Sequence, residues 1–301
     1  MSAIVQSEHT LLTEITTEIG TAEIAIWTIT VGVCAIVAGT VLAYRTREVR
    51  YAALQVAGLL TLFALLAVHV HVGGWLTSAD AGVADWLVAH RSPTLTTIAR
   101  TATDLGSPAV IAAIALATAM IVGYRQRAVL PAITILATVV LAGAASSLTK
   151  IVVARARPPV ALHLVAETDY SFPSGHVTGT VALLGVVLVV APITRRWVRT
   201  VAVAAATAAW LLIATSRLYL GVHWLTDVLA GTVLATAVVI ATTTALRSIG
   251  AVTPRLIATA APRNTLRGPD DPGPRRGSDS APRVGHNGHE QSHEVNMPIS
   301  H

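Results

Sequence analysis

Three clusters in the second half of the chain carry residue types suited to phosphoryl chemistry: Lys150-x6-Arg157-Pro158, Pro173-Ser174-Gly175-His176 and Ser216-Arg217-x5-His223-x3-Asp227. Together they supply three cations, two imidazoles and one carboxylate, all at the ends of strongly apolar segments. Phosphoryl transfer asks a protein mainly for positioning and charge neutralisation, which such a set provides. Lys150 is the only lysine among 21 basic residues. A chain that otherwise uses arginine has kept one compact ammonium, and it falls inside a motif.

Each cluster has its own physical logic. Lys150 and Arg157 are seven residues apart, two helical turns, so both face one side of a helix that continues past the membrane until Pro158-Pro159 ends it. There they would clamp a phosphate, Arg157 as a planar fork and Lys150 as a point charge. The plainer alternative is two basic residues snorkelling at the interface. Arg155 lies on another face of that helix and reads as structural. Ser174 is a natural N-cap, and the free backbone N–H groups behind it attract an anion. Gly175 permits close backbone approach, and His176 enters in the first turn, at the water boundary, where a proton can be exchanged. A merely capped helix start is the alternative there. His223 and Asp227 are four apart, so on a helix the carboxylate reaches one ring nitrogen, fixes the tautomer and leaves the other nitrogen as a nucleophile. Arg217, six residues earlier, is free to reach the same phosphate. A packing histidine or buried ion pair is the competing reading, but charge at a membrane edge is costly without function.

The elements that must position these residues are membrane helices. The chain is 53% hydrophobic and 12% charged, far from a soluble average. Seven apolar spans are expected: Ile24–Tyr44, Tyr51–Val72, Pro108–Tyr124, Ala128–Thr149, Val177–Ile193, Val201–Thr215 and Val228–Leu246, against roughly 17–25 helical residues needed to cross. Short connections carry Arg45, Arg47 and Arg50, then Arg125 and Arg127, then Arg195, Arg196 and Arg199, with Arg247 after the last span. The positive-inside rule puts these in the cytoplasm, and with them on one face all three clusters share the other, outer face. The net charge of +5 therefore reflects orientation rather than a nucleic-acid partner. The first twenty residues carry Glu8, Glu14 and Glu18 without a basic start, so no signal peptide is expected. The single Cys34 forbids an intrachain disulfide. The outer-face clusters hold one carboxylate and no Asp/Glu-rich cage, so no metal site is expected.

Between Gly73 and Ser107, Asp80, Asp85, His90, Arg91, Arg100 and Asp104 interleave with Val83, Trp86, Leu87, Leu95 and Ile98. This predicts amphipathic helices at the interface, divided at Pro93, serving either as a connector or as a lid or lipid gate. From Pro254 the chain is rich in Pro, Gly, Arg, Ser and His and is expected to be a disordered cytoplasmic tail. His286, His289, His293 and His301 belong to that solvated tail.

At full spacing, the three clusters resemble the signature of the type 2 phosphatidic acid phosphatase superfamily, which lipid phosphate phosphatases and vanadium haloperoxidases share. The resemblance covers roughly Tyr51–Leu246. It implies an all-α, polytopic membrane helix bundle: a six-helix phosphatase core plus one extra N-terminal transmembrane helix. The domain layout is then 1–50, 51–247 and a tail over 248–301. By the same resemblance His223 attacks phosphorus, Asp227 holds it, and His176 protonates the leaving oxygen and later assists water. Lys150, Arg157, Ser174, Gly175 and Arg217 hold the phosphoryl oxygens, and neither metal nor cofactor takes part. The implied partners are the bilayer and a lipid phosphate or diphosphate, such as undecaprenyl or decaprenyl diphosphate, phosphatidic acid or phosphatidylglycerophosphate. Oligomeric state is open. Two other classes fit less well. A haloperoxidase of this kind is soluble, and a non-catalytic lipid-binding protein or transporter would not need both His223 and His176.

Overall fold

The computed structural model describes residues 2–46 and 48–260, with side chains over 22–248 apart from 44 and 47. The described residues form helices and no strand: α1 (Ser2–Thr46), α2 (Val49–Val72), α3 (Ser78–Ala89), α4 (Pro93–Leu105), α5 (Pro108–Gln126), α6 (Val129–Val153), α7 (Gly175–Val190), α8 (Arg196–Tyr219) and α9 (Leu225–Ala260). Six of them hold stretches long and apolar enough to cross a membrane: Ala22–Ala43, α2, α5, α6, α8 and Leu225–Ser248. The remaining expected span is realised as α7, a shorter apolar helix of 16 residues. Lipid rather than water suits the outside of this bundle. Trp27, Met120, Val140 and Ile151 are each more than half exposed, a distribution that a soluble protein avoids.

Helix ends follow local chemistry. Gly73, in the left-handed region at φ 67°, closes α2. Pro93 and Pro108 occupy the first positions of α4 and α5, where a missing N–H is harmless. Ser92 caps α4 by accepting from the Leu95 N–H at 3.3 Å. The stretch from Gly73 to Ser107 thus holds two short helices split at Pro93, after a single 3-10 turn at Trp75–Thr77. The second, α4, is strongly amphipathic and packs on α8.

The core sits among α5 to α9. Ile111, Ala115 and Ala119 of α5 meet Ile135 of α6 and Leu183 and Val186 of α7. The small trio Ala142, Ala182 and Ala235 draws α6, α7 and α9 together. Gly231 of α9 lets α7 begin close by, since a Cβ there would stand 2.9 Å from the Ser174 carbonyl oxygen. The inward face of α6 recurs every four residues, through Thr134, Thr138, Ala142 and Ser146 to Lys150, all buried. That register aims Lys150 at the interior end of the bundle.

Helix α1 packs along α2, where Gln55 donates to Thr40 at 2.8 Å. Arg45, Arg199 and Arg247 line one cavity with Glu48 and Gln55. Arg199 and Arg217 stand at opposite ends of α8, so these arginines gather at the end away from the motif clusters. The described residues up to Ala258 form one compact unit. The boundary expected at 248 falls within α9, which continues to Ala260. The rest of the expected tail, 261–301, lies outside the described residues.

Candidate active site

Every residue singled out from the three clusters lies at one end of the bundle. Lys150 ends α6, Ser174 and Gly175 open α7 with His176 behind them, Arg217 lies in the last turn of α8, and Asp227 in the first turn of α9. His223 occupies the tight turn between α8 and α9. Gly221 makes that turn possible. Its φ is +73°, and a Cβ on it would press to 2.3 Å from the Leu162 carbonyl oxygen.

His223 is sandwiched between a carboxylate and a cation. Its Nδ1 faces Asp227 Oδ2 at 3.3 Å, and Arg157 Nη1 lies 3.2 Å from its Nε2. A guanidinium can only donate, so Nε2 is the acceptor and Nδ1 carries the proton toward Asp227. The nitrogen with the free lone pair therefore faces the cations. Burial disfavours the imidazolium and pulls the His223 pKa down to about 4, against the opposing pull of Asp227. Asp227 is fully buried and well supported. Its Oδ2 accepts from the Ser171 hydroxyl and from the Trp224 N–H at 2.9 Å, and its Oδ1 from Arg155 at 2.5 Å.

The cations line the other side. Arg217 is 1% exposed; its Nη1 donates to Thr103 Oγ1 at 2.6 Å and lies 3.5 Å from His176 Nε2. Its Nε has no partner, nor does the buried hydroxyl of Ser174 or of Ser146. Unsatisfied buried donors need an explanation, and two of these hydroxyls lie beside Gly175: Ser174 precedes it, and Ser146 approaches it from α6. A Cβ built on Gly175 would meet Lys150 Cε at 3.9 Å and Ser146 Oγ at 4.0 Å, with nothing nearer. Packing alone does not demand glycine there; the space it leaves open lies beside Lys150.

Four expectations need correction. Helix α6 stops at Val153, with Ala154 left-handed at φ 48°, so Lys150 and Arg157 do not share a helical face. Arg157 instead reaches back from the extended segment that follows, donating to the Val222 carbonyl at 2.6 Å. Ser174 holds the N-cap position of α7 without a side-chain capping bond. His223 precedes α9 rather than lying on it, and the turn closes because Asp227 accepts the Trp224 N–H. Finally, the site holds more than one carboxylate. Glu167 pairs with Arg217 and approaches Arg157 at 3.4 Å, while Asp169 pairs with Arg157 and lies 3.1 Å from Lys150. Burial alone would raise the Asp169 carboxyl, but Lys150 and Arg157 outweigh it and hold it below the usual carboxylate range. The loop between α6 and α7 concentrates Glu167 and Asp169 within three residues, and that density was the overlooked signal. Arg155, read as structural from its helical face, touches Asp227 directly. Among the described residues no three His, Cys, Asp or Glu side chains gather as a metal-ion set.

Comparison with known proteins adds what the chain is similar to. Residues 131–250 match the family model described as the PAP2 superfamily. An undecaprenyl-diphosphatase from Sulfolobus acidocaldarius is 36% identical over 108 residues, which make up 33% of this chain and 47% of that protein. The chain thus spans about half the length of that curated relative. Among solved structures, a transmembrane PAP2-type phosphatidylglycerolphosphate phosphatase from Bacillus subtilis superposes with a TM-score of 0.59 at 23% identity, covering 64% of this chain and 96% of that one. This likeness establishes the shared fold. LpxE from Aquifex aeolicus aligns at a TM-score of 0.42 and 21% identity, over 55% of this chain and 94% of its own.

Proposed function

Because residues 131–250 match the PAP2 superfamily model, we propose that the chain is a member of that superfamily and an integral-membrane phosphatase that removes phosphate from a lipid monophosphate or diphosphate at the outer face of the membrane. The observation that carries this reading is the orientation of His223: Nδ1 on Asp227 and Nε2 toward Arg157, with Arg217 near by and Lys150 sharing Asp169 with Arg157.

In the proposed reaction the phosphoryl oxygens displace Glu167 and Asp169 from the three cations. Arg157 moves off Nε2 to a phosphoryl oxygen, and the Ser174 hydroxyl, Arg217 Nε and the N–H groups at the start of α7 receive the others. Nε2 of His223 attacks phosphorus in line, forming an N–P bond as the P–O bond to the lipid breaks. His176 takes a proton from the arriving phosphate monoanion and passes it to the leaving oxygen. Water, giving its proton to His176, then attacks phosphorus, and the N–P bond breaks to release inorganic phosphate and restore both histidines. Asp227 stabilises the charge that builds on His223 during attack. No step calls on a metal or cofactor.

For the lipid, the name of the Sulfolobus relative supports a polyprenyl diphosphate, while phosphatidic acid and phosphatidylglycerophosphate present the same terminal phosphate. The outer location rests on the arginines at the far end of the bundle, which the positive-inside rule draws to the cytoplasm.

The test is phosphate release by the purified full chain from micellar undecaprenyl diphosphate, phosphatidic acid and phosphatidylglycerophosphate, with excess chelator and then with vanadate. Vanadate adopts the five-coordinate geometry of phosphorus in transfer and should inhibit far below the concentration of phosphate that does so. Activity that vanishes with chelator and returns with magnesium would sink the reading, as would full activity of His223→Ala.

A further inference from the structure

Behind Asp227, on the side away from His223, lies a second layer of charge that the reaction above leaves unused. Arg155 donates through Nη1 to Asp227 Oδ1 at 2.5 Å and to Thr226 Oγ1 at 2.7 Å, and through Nη2 to Asp80 Oδ2 at 2.6 Å. Asp80 closes the ring by accepting the Thr226 N–H at 2.9 Å and the Thr226 hydroxyl at 2.7 Å. The guanidinium lies over the Trp224 ring, 5.5 Å from its centre. Asp80 is 4% exposed, and it comes from α3, in the helical stretch between Gly73 and Ser107.

Burying a guanidinium between two carboxylates is a poor route to stability, because desolvation offsets much of the attraction. What the arrangement does control is the charge that Asp227 presents to its histidine. Oδ2 is taken by His223, Ser171 and Trp224, so Oδ1 is where a cation can act without touching the nucleophile. Asp80 in turn divides the Arg155 charge between two carboxylates.

Resting on the phosphatase reading, we propose that Arg155 and Asp80 are positioning residues for phosphoryl transfer. Arg155 holds Asp227 ionised and aligned on His223, and Asp80 fixes Arg155 from α3. The 78–89 helix is then part of the support of the nucleophile rather than a simple connector.

The groups facing His223 are Asp227 from α9, Arg157 from the loop after α6, Arg217 from α8 and His176 from α7. Lys150, Glu167 and Asp169 stand farther across the pocket, and Arg155 and Asp80 lie behind Asp227. Removing the Arg155 charge leaves Asp227 uncompensated, which favours protonation of His223. Removing the Asp80 charge lets Arg155 act wholly on Asp227, which favours the neutral imidazole. The two changes therefore push in opposite directions.

The experiment measures the pH dependence of kcat and KM for Arg155→Gln, Arg155→Lys and Asp80→Asn in the purified full chain. Alongside it, 13C NMR follows the His223 ring, assigned by its loss in His223→Gln. For Arg155→Gln, kcat should fall about tenfold or more, the low end for partners that orient a functional ligand from behind. Its KM should stay within about threefold, and its acidic limb should move to higher pH. Arg155→Lys, which keeps the charge, should recover much of the loss, and Asp80→Asn should move the limb toward acid. If Arg155→Gln does not fold, the double variant Asp80→Asn/Arg155→Gln removes the buried cation with one of its partners and should still shift His223 upward. An unmoved limb, or the same direction of shift in both single variants, overturns the proposal. If the wild type releases no phosphate from any lipid, the phosphatase reading fails by itself, and the NMR titration still decides whether Arg155 and Asp80 set the state of His223.

Discussion

The guanidinium of Arg217 is held by the hydroxyl of Thr103, 2.6 Å from Nη1, across 114 residues of sequence. Thr103 belongs to α4 and is 4% exposed. An amphipathic helix that the sequence left as either a connector or a lid therefore fixes Arg217, which the proposed reading makes one arm of a phosphate clamp. Arg91 ties the same region down, donating to the carbonyls of Tyr219 and Leu162. These contacts favour a fixed brace over a swinging gate.

Thr103→Val keeps the shape and removes the acceptor. A hydrogen bond to a charged group is worth about 1.5–3 kcal/mol, so KM for a lipid phosphate should rise about tenfold or more, with Thr103→Ser close to wild type. Steady-state kinetics on both variants check this, and a wild-type KM for Thr103→Val would show that Arg217 is held by Glu167 alone.

The acid side of the pH profile should be unusual for a histidine nucleophile. Attack needs the neutral ring, and burial has lowered the His223 pKa from 6.5 to about 4. Activity should therefore survive well below pH 6 and decline only as pH falls toward 4. A kcat/KM profile with its acidic limb centred near 6.5 would contradict the buried, cation-flanked placement of this ring.

His176→Ala should be severe for a monoester, whose alkoxide leaving group needs a proton; general acids typically contribute about 10²–10⁴-fold. For a diphosphate, whose leaving group is already a weak base, the penalty should shrink. Comparing the two substrates with one variant makes the test internal. Equal penalties on both would remove His176 from the role of proton donor.

Orientation can be read with thiol chemistry in intact cells, after replacing Cys34. A cysteine at Ala161, in the exposed loop after α6, should react with an impermeant reagent, whereas one at Thr194, beside Arg195 and Arg196, should not. The reverse labelling pattern would place the chemistry in the cytoplasm.

What the sequence revealed and what it hid divide along physical lines. Spans were legible because apolar length is a one-dimensional property, and six of the seven recur as long helices. That the candidate residues would gather at one end of the bundle was legible because they sit in short runs at span ends, where charge has few structural reasons to be. How each side chain arrives there was not. Arg157 reaches the pocket because Ala154 turns left-handed, and His223 because Gly221 does the same; neither conformation leaves a periodic trace. Partners distant in sequence were hidden for a different reason. Asp80 and Thr103 look like ordinary polar residues of an amphipathic stretch, and only the packing of α3 and α4 on α8 brings them to Arg155 and Arg217.

The brevity of α7 has a consequence for how a lipid is met. Its 16 residues span about 24 Å at 1.5 Å per residue, less than the roughly 30 Å of a hydrocarbon core. The shortfall of about 6 Å has to be met at one end of α7, and the first turn, with Ser174 before it and His176 within it, is the end beside the candidate site. On the proposed lipid-phosphatase reading, a shortfall at the Ser174 end would let a substrate with its tails still among the acyl chains bring its headgroup in sideways, with no need to be lifted toward water.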